Sequence, residues 1–153
     1  MHHIYLLYTS IILSCLACKT PTKMIELRPS IYDKAIYTDR NGDSLNYRVY
    51  LPYRNTENLP LHIFLHGSGE RGGDNEAQLT HIAPYLISDS IQRLHPCIIV
   101  APQCPSDDTW SRVDREEGTW LASSNGEATQ PTSLLLELID KLIEEHSIDR
   151  DRV

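Results

Sequence analysis

Two short, nearly continuous apolar runs, "LHIFLHG" at 61–67 and "CIIVAP" at 97–102, constrain the fold of this chain more than any other feature. A strand with one wet face alternates apolar and polar residues, and these runs do not. Both faces of each must therefore be covered, as in strands inside a parallel sheet flanked by helices. "PTSLLLELIDKLIEEHSI" supplies such a helix. Pro131 suits its first turn, and Leu134, Leu138, Leu142 and Leu135, Ile139, Ile143 form two adjoining rows. That stripe is read as core. Glu137 and Lys141 fall four apart on the exposed side, where they can pair.

The other elements follow the same logic. "AIYTDRNGDSLNYRVYLP" reads as a β-hairpin turning at Asn41-Gly42, whose residues tolerate positive φ. Tyr47, Val49 and Leu51 alternate with Asn46, Arg48 and Tyr50, so its second strand is expected to bury one face; Pro52 ends it. "AQLTHIAPYLISDSIQRL" has helical spacing broken or kinked at Pro84. Residues 105–130 are polar and read as a long loop, a kind of segment that commonly carries function. Strand, helix, strand, helix and, at "DRDRV", the turn toward a further strand give an α/β fold: a mostly parallel sheet with flanking helices and an N-terminal hairpin. Ligands bind such sheets at the carboxyl ends of the strands, where the loop starting at His66 lies.

At 153 residues there is room for one domain, and 41% hydrophobic with 23% charged residues are the proportions of a soluble globular protein. A net charge of -7 with no basic stripe argues against nucleic acid as a partner. Neither C-x-x-C nor H-E-x-x-H occurs and the histidines are scattered, so neither metal nor cofactor is expected. Cys97 and Cys104 flank "IIVAPQ". If that stretch is a strand, their Cα atoms stand ~23 Å apart, far beyond the ~7 Å reach of a disulfide.

The first eighteen residues, "MHHIYLLYTSIILSCLAC", contain no Lys, Arg, Asp or Glu. Their apolar stretch is shorter than the ~20 residues of a membrane-spanning helix and suits a secretory signal. "ILSC" and "CLAC" both resemble the lipobox of bacterial lipoproteins, with Cys18 the better fit and Cys15 the alternative. The expected organisation is a signal segment at 1–18, a tether at 19–32 and a domain from 33 to 153. Export follows, to the bacterial cell envelope or beyond, with a lipid anchor as the membrane attachment.

Within "HGSGERGGDN", Ser68 stands between Gly67 and Gly69. A nucleophile elbow requires G-x-S-x-G, but here His66 and Glu70 occupy the two glycine positions. The downstream histidines, His81, His95 and His146, have no context that recommends one as a base, so Ser68 is not read as a nucleophile. Gly67, Gly69, Gly72 and Gly73 instead free the backbone to turn tightly and aim amide groups into a cleft. Paired amides of that kind stabilise an oxyanion, each contributing ~2.7–4 kcal/mol. A plain glycine-rich surface turn is the alternative reading.

"YRVYLP", "HIFLHGSGERGGDN", "CIIVAPQCP" with "TW" close behind, the leucine-rich helix and "IDRDRV" together resemble, in order and spacing, the secreted α/β-hydrolases of the phospholipase/carboxylesterase and prolyl-oligopeptidase-like group, which includes feruloyl-type esterases and predicted peptidases. The resemblance runs from about residue 33 to the end. It implies an oxyanion-hole amide at Ser68, with Gly69 its neighbour. His66, Gly67, Glu70 and Arg71 become loop support, Glu70 and Arg71 through an ion pair or backbone contacts. Trp110 resembles a cleft tryptophan, stacking on a sugar or aromatic acyl group or packing half-buried; for Trp120, packing is expected.

Family members continue past "DRDRV" into G-x-S-x-G and later supply the acid and the histidine, so the chain is expected to be the N-terminal part of such an enzyme, inactive and poorly soluble or partly molten alone. The reading is a portion of an exported serine hydrolase of carboxylic esters, with a small-molecule or glycan ester as substrate. A non-catalytic surface lipoprotein binding glycan and a serine peptidase are the rivals.

Overall fold

The six residues Ile98–Gln103, every one of them buried, form the strand on which the rest is assembled. The computed structural model describes residues 31–53, 57–116, 119–122 and 126–153, without the side chains of 114–116 and 120–122. Its elements are β1 (Asp33–Thr38), β2 (Ser44–Tyr50), β3 (Leu61–Ile63), two single 3₁₀ turns (Ser68–Glu70 and Ala77–Leu79), α1 (Ala83–Leu86), α2 (Asp89–Leu94), β4 (Ile98–Gln103), β5 (Val113–Glu116), β6 (Thr119–Ala122) and α3 (Gln130–Glu145). The expected signal segment, with Cys15 and Cys18, lies outside the described residues, as does most of the tether. Tyr32 already belongs to the core, its hydroxyl donating to the Ala83 carbonyl over 2.8 Å.

Four strands form one mixed sheet in the order β1-β2-β4-β3, with β3 parallel to β4 and the other two pairings antiparallel. Helices cover both faces. Ile98 and Val100 point to the side of α3 and pack with Leu134, Leu135, Leu138 and Leu142. Ile99 points the opposite way, to Tyr32, Tyr50, Ala83 and Ile87. That alternation is why β4 had to be apolar throughout. Cys97 and Cys104 at its ends are free thiols.

β2 departs from the expected single buried face because it lies between β1 and β4, beneath both layers. Leu45 packs toward α3 and Tyr50 toward α1. Arg48, on the α1 side, is satisfied by the carbonyls of Asn75 (2.7 Å) and Tyr32 (3.1 Å) and by the Glu76 carboxylate. Leu51 lies past the strand and is exposed. In the hairpin turn only Gly42 takes a positive φ, +91°; Asn41 does not. Asp39 organises the rest, its carboxylate accepting from the amides of Asn41 and Asp43.

β3 is shorter than its apolar run: only three residues pair, and Leu65 is exposed. On its side away from β4 lies the segment after α3, through Leu59 N–H to Ser147 (3.0 Å), Asp149 N–H to Leu59 (2.9 Å) and Leu61 N–H to Arg152 (3.0 Å). The helical stretch from 77 to 94 is three short pieces, and Pro84 opens α1 rather than breaking a longer helix. The expected loop at 105–130 contains the antiparallel hairpin β5-β6. On α3 the expected Glu137–Lys141 pair is replaced, because Tyr37 of β1 reaches both residues. Its hydroxyl donates to Glu137 (2.9 Å), and Lys141 lies 5.8 Å over its ring while pairing with Glu145.

Candidate active site

The chain leaves β3 through Phe64, whose amide still bonds the Val100 carbonyl (2.8 Å), and turns at His66 beyond the carboxyl ends of β3 and β4. Ser68–Glu70 then make one turn of 3₁₀ helix, closed by Glu70 N–H to the Gly67 carbonyl at 3.3 Å. None of the four glycines takes a positive φ. Two sit close to neighbours: a Cβ on Gly67 would stand 3.2 Å from Glu70 Oε2, the end of a flexible side chain, and one on Gly72 would stand 3.2 Å from Gln103 Nε2, which is held by hydrogen bonds. Gly69 and Gly73 face open space.

His66, 6% exposed, fixes the start of the loop. Its Nε2 accepts the Cys104 amide at 2.9 Å, so the proton sits on Nδ1, which donates to the Gly67 carbonyl at 2.6 Å. Trp110 packs edge-on to the imidazole at 5.4 Å and donates its indole N–H to the His66 carbonyl at 3.3 Å. Arg71 fixes the far side through the carbonyls of Ser68 (3.1 Å) and Asp108 (3.0 Å). It does not pair with Glu70, which binds His81 at 3.0 Å.

Behind the loop lies a buried polar cluster. Gln103, at the end of β4, accepts the Asn75 amide (2.6 Å) and donates to the Glu70 carbonyl (3.2 Å) and to Asp74 (2.7 Å). Asn75, with φ 55° and 1% exposure, donates to the carbonyls of Ala35 (3.0 Å) and Tyr47 (3.1 Å) and accepts from Gln78 (2.6 Å). The amides of Glu76 and Ala77 donate to Asp74, and with Gln103 they hold its carboxyl down at about 2.

Beside the loop opens a cleft of about 500 Å³, lined by His66, Gly67, Ser68, Arg71, Trp110 and its neighbours Thr109, Ser111 and Val113. Gly69 does not line it, and Glu70 lies behind. As the first two residues of a 3₁₀ turn, Ser68 and Gly69 have amides with no intrahelical acceptor, and neither amide bonds elsewhere among the described residues. Among the described residues the Ser68 hydroxyl also lacks a base. Both His66 nitrogens are engaged, and His81 is held by Glu70. Cys104 is no substitute nucleophile, because burial, with Asp108, pushes its thiol up to about 11.

The structure thus brings together His66, Gly67, Ser68, Arg71 and Trp110 as the sequence suggested. Asn75 and Gln103 are residues that the sequence reading misses, and His81, set aside as a base, holds Glu70 instead. "GGDN" held one usable signal, an asparagine suited to φ > 0 at the end of a turn. The Trp120 side chain lies outside the described residues.

No family model and no curated protein matches this chain. Among solved structures, it is similar to a thermostable esterase, with a TM-score of 0.69 and 32% identity over 80% of the chain and 32% of the esterase. A CE1 ferulic acid esterase from Anaeromyces mucronatus, in complex with ferulic acid, gives 0.48 and 17% identity over 83% of the chain and 47% of that protein. The chain spans about a third of the length of the thermostable esterase. With the four-stranded mixed sheet and its flanking helices, the first likeness identifies a partial α/β-hydrolase fold related to esterases.

Proposed function

We propose that this chain is the N-terminal portion of an exported serine hydrolase of carboxylic esters, within the phospholipase/carboxylesterase and prolyl-oligopeptidase-like group, and that it contributes the oxyanion hole. One observation carries the reading: Ser68 lines the cleft with an amide that bonds nothing among the described residues, in a loop anchored through His66, Arg71 and Gln103. A donor fixed in advance costs no reorganisation when the tetrahedral oxyanion forms, and this is the source of its catalytic value. Gly69 N–H is its neighbour in the same turn. The nucleophile, base and acid then come from residues beyond Val153, and the chemistry uses side chains and water alone.

The test compares two products of the reading frame, the 153-residue chain and its longest uninterrupted extension, on p-nitrophenyl acetate. Hydrolysis by the longer product and none by the shorter supports the reading. An inert longer product that nevertheless binds xylan or cellulose fragments favours a glycan-binding surface protein. Export through a lipid anchor at Cys18, or Cys15, is a separate part of the proposal. Labelled palmitate retained by wild type and lost on C18S or C15S supports it, and no labelling removes it.

A further inference from the structure

Arg71 is the one charged side chain among the described residues that line the cleft. Its guanidinium has five N–H groups in a rigid plane. Two are committed, Nε to the Ser68 carbonyl and Nη1 to that of Asp108, which fix the plane against the candidate oxyanion loop. The other three, including both on Nη2, bond nothing among the described residues. Of the acids nearby in the chain, Glu70 is taken up by His81 at 3.0 Å, Asp108 turns its carboxylate back to the Thr109 amide at 2.7 Å, and Asp107 is exposed. The rest of the lining is the Trp110 ring with neutral groups such as Ser68, Thr109 and Ser111.

We infer that Arg71 is a specificity determinant that selects esters bearing a carboxylate elsewhere in the molecule. A guanidinium held by two main-chain carbonyls is pre-organised, so little rotamer freedom is lost when an anion arrives. Its free edge offers charge-assisted hydrogen bonds that a neutral ester cannot use. Such bonds favour the anionic ligand by about ten- to a hundredfold. The inference rests on the hydrolase reading for the ester part of the ligand and on the cleft for the anion.

Binding without turnover separates the two. Monomethyl glutarate, an anion at neutral pH, and dimethyl glutarate, its neutral counterpart, are titrated against the chain while tryptophan fluorescence is followed at low salt. The monoester is expected to bind at least about tenfold tighter. That preference should fall to about one in R71Q, persist in part in R71K and shrink in high salt. Equal affinities in the wild type, or a preference that survives R71Q, overturn the inference. Loss of the preference in Ser68→Pro but not in R71Q places the anion on the loop amides and also overturns it. Failure of the longer product to hydrolyse any ester removes the hydrolase reading while leaving the anion preference to stand or fall on the titration.

Discussion

The amide of Cys104, just past the end of β4, donates to Nε2 of His66, just past the end of β3, across 2.9 Å. This bond joins the two loops at the carboxyl ends of the parallel pair and sets the imidazole against which Trp110 packs. Replacing His66 with Ala strands a buried amide and leaves the Trp110 ring without its neighbour. A loss of about 1–3 kcal/mol is expected from the stranded donor, more with the packing. Urea denaturation measures it, and a midpoint unchanged from wild type rules out the anchoring role.

Asn75 gives a sharper test, because Asp is almost the same size. N75D replaces the amide group that donates to Ala35 and Tyr47 with a carboxylate oxygen facing two carbonyls. The variant should lose about 3 kcal/mol or more, since it buries unmatched acceptors together with a charge. Chemical denaturation that finds N75D within 0.5 kcal/mol of wild type, the range of an ordinary surface change, would contradict this.

Asp74 predicts an acid dependence. Its folded-state pKa lies at about 2, below the ordinary 3.8, because backbone amides and Gln103 stabilise the carboxylate. A depressed carboxyl contributes stability that is fully present above its unfolded value and is lost as pH falls from about 4 through about 2. D74N should flatten the fall of the urea midpoint across that window. An equally steep fall in D74N assigns the acid sensitivity elsewhere, for example to Asp149, whose carboxyl is also held down, first of all by Arg152.

The glycines separate by space. G72A forces a Cβ to within 3.2 Å of Gln103 Nε2, at the centre of the polar cluster, and should cost about 1–3 kcal/mol. G73A meets nothing within 4 Å and should be neutral or stabilising by up to about 1 kcal/mol. Melting curves of the pair that fall in the opposite order would overturn the spatial argument.

Much of this fold is legible in the chain because burial dictates it. The unbroken apolar run of β4 and the two leucine rows of α3 each have one physical solution, and the structure adopts it. Val113–Glu116 hides a strand because three of its four residues are charged. β2 looks half-buried because Arg48 is satisfied by Asn75, Tyr32 and Glu76, partners that only the folded sheet brings near. The same limit hid Gln103 and Asn75, which lie 28 residues apart and are joined to each other by one hydrogen bond. His66 and Gly67 were legible as a loop, whereas their anchoring required the end of β4 to be seen.

The central claim, that the Ser68 amide rather than its hydroxyl does the chemistry, is tested most directly by S68A and S68P in the longest product of the reading frame. Gly67 is extended, φ -80° and ψ -178°, and Ser68 opens a helical turn, so proline fits there and removes the N–H with little strain. The expected kcat on p-nitrophenyl acetate is near wild type for S68A and about 10²–10³-fold lower for S68P. A complete loss in S68A would make the hydroxyl the nucleophile, and full activity in S68P would remove the oxyanion hole from this loop.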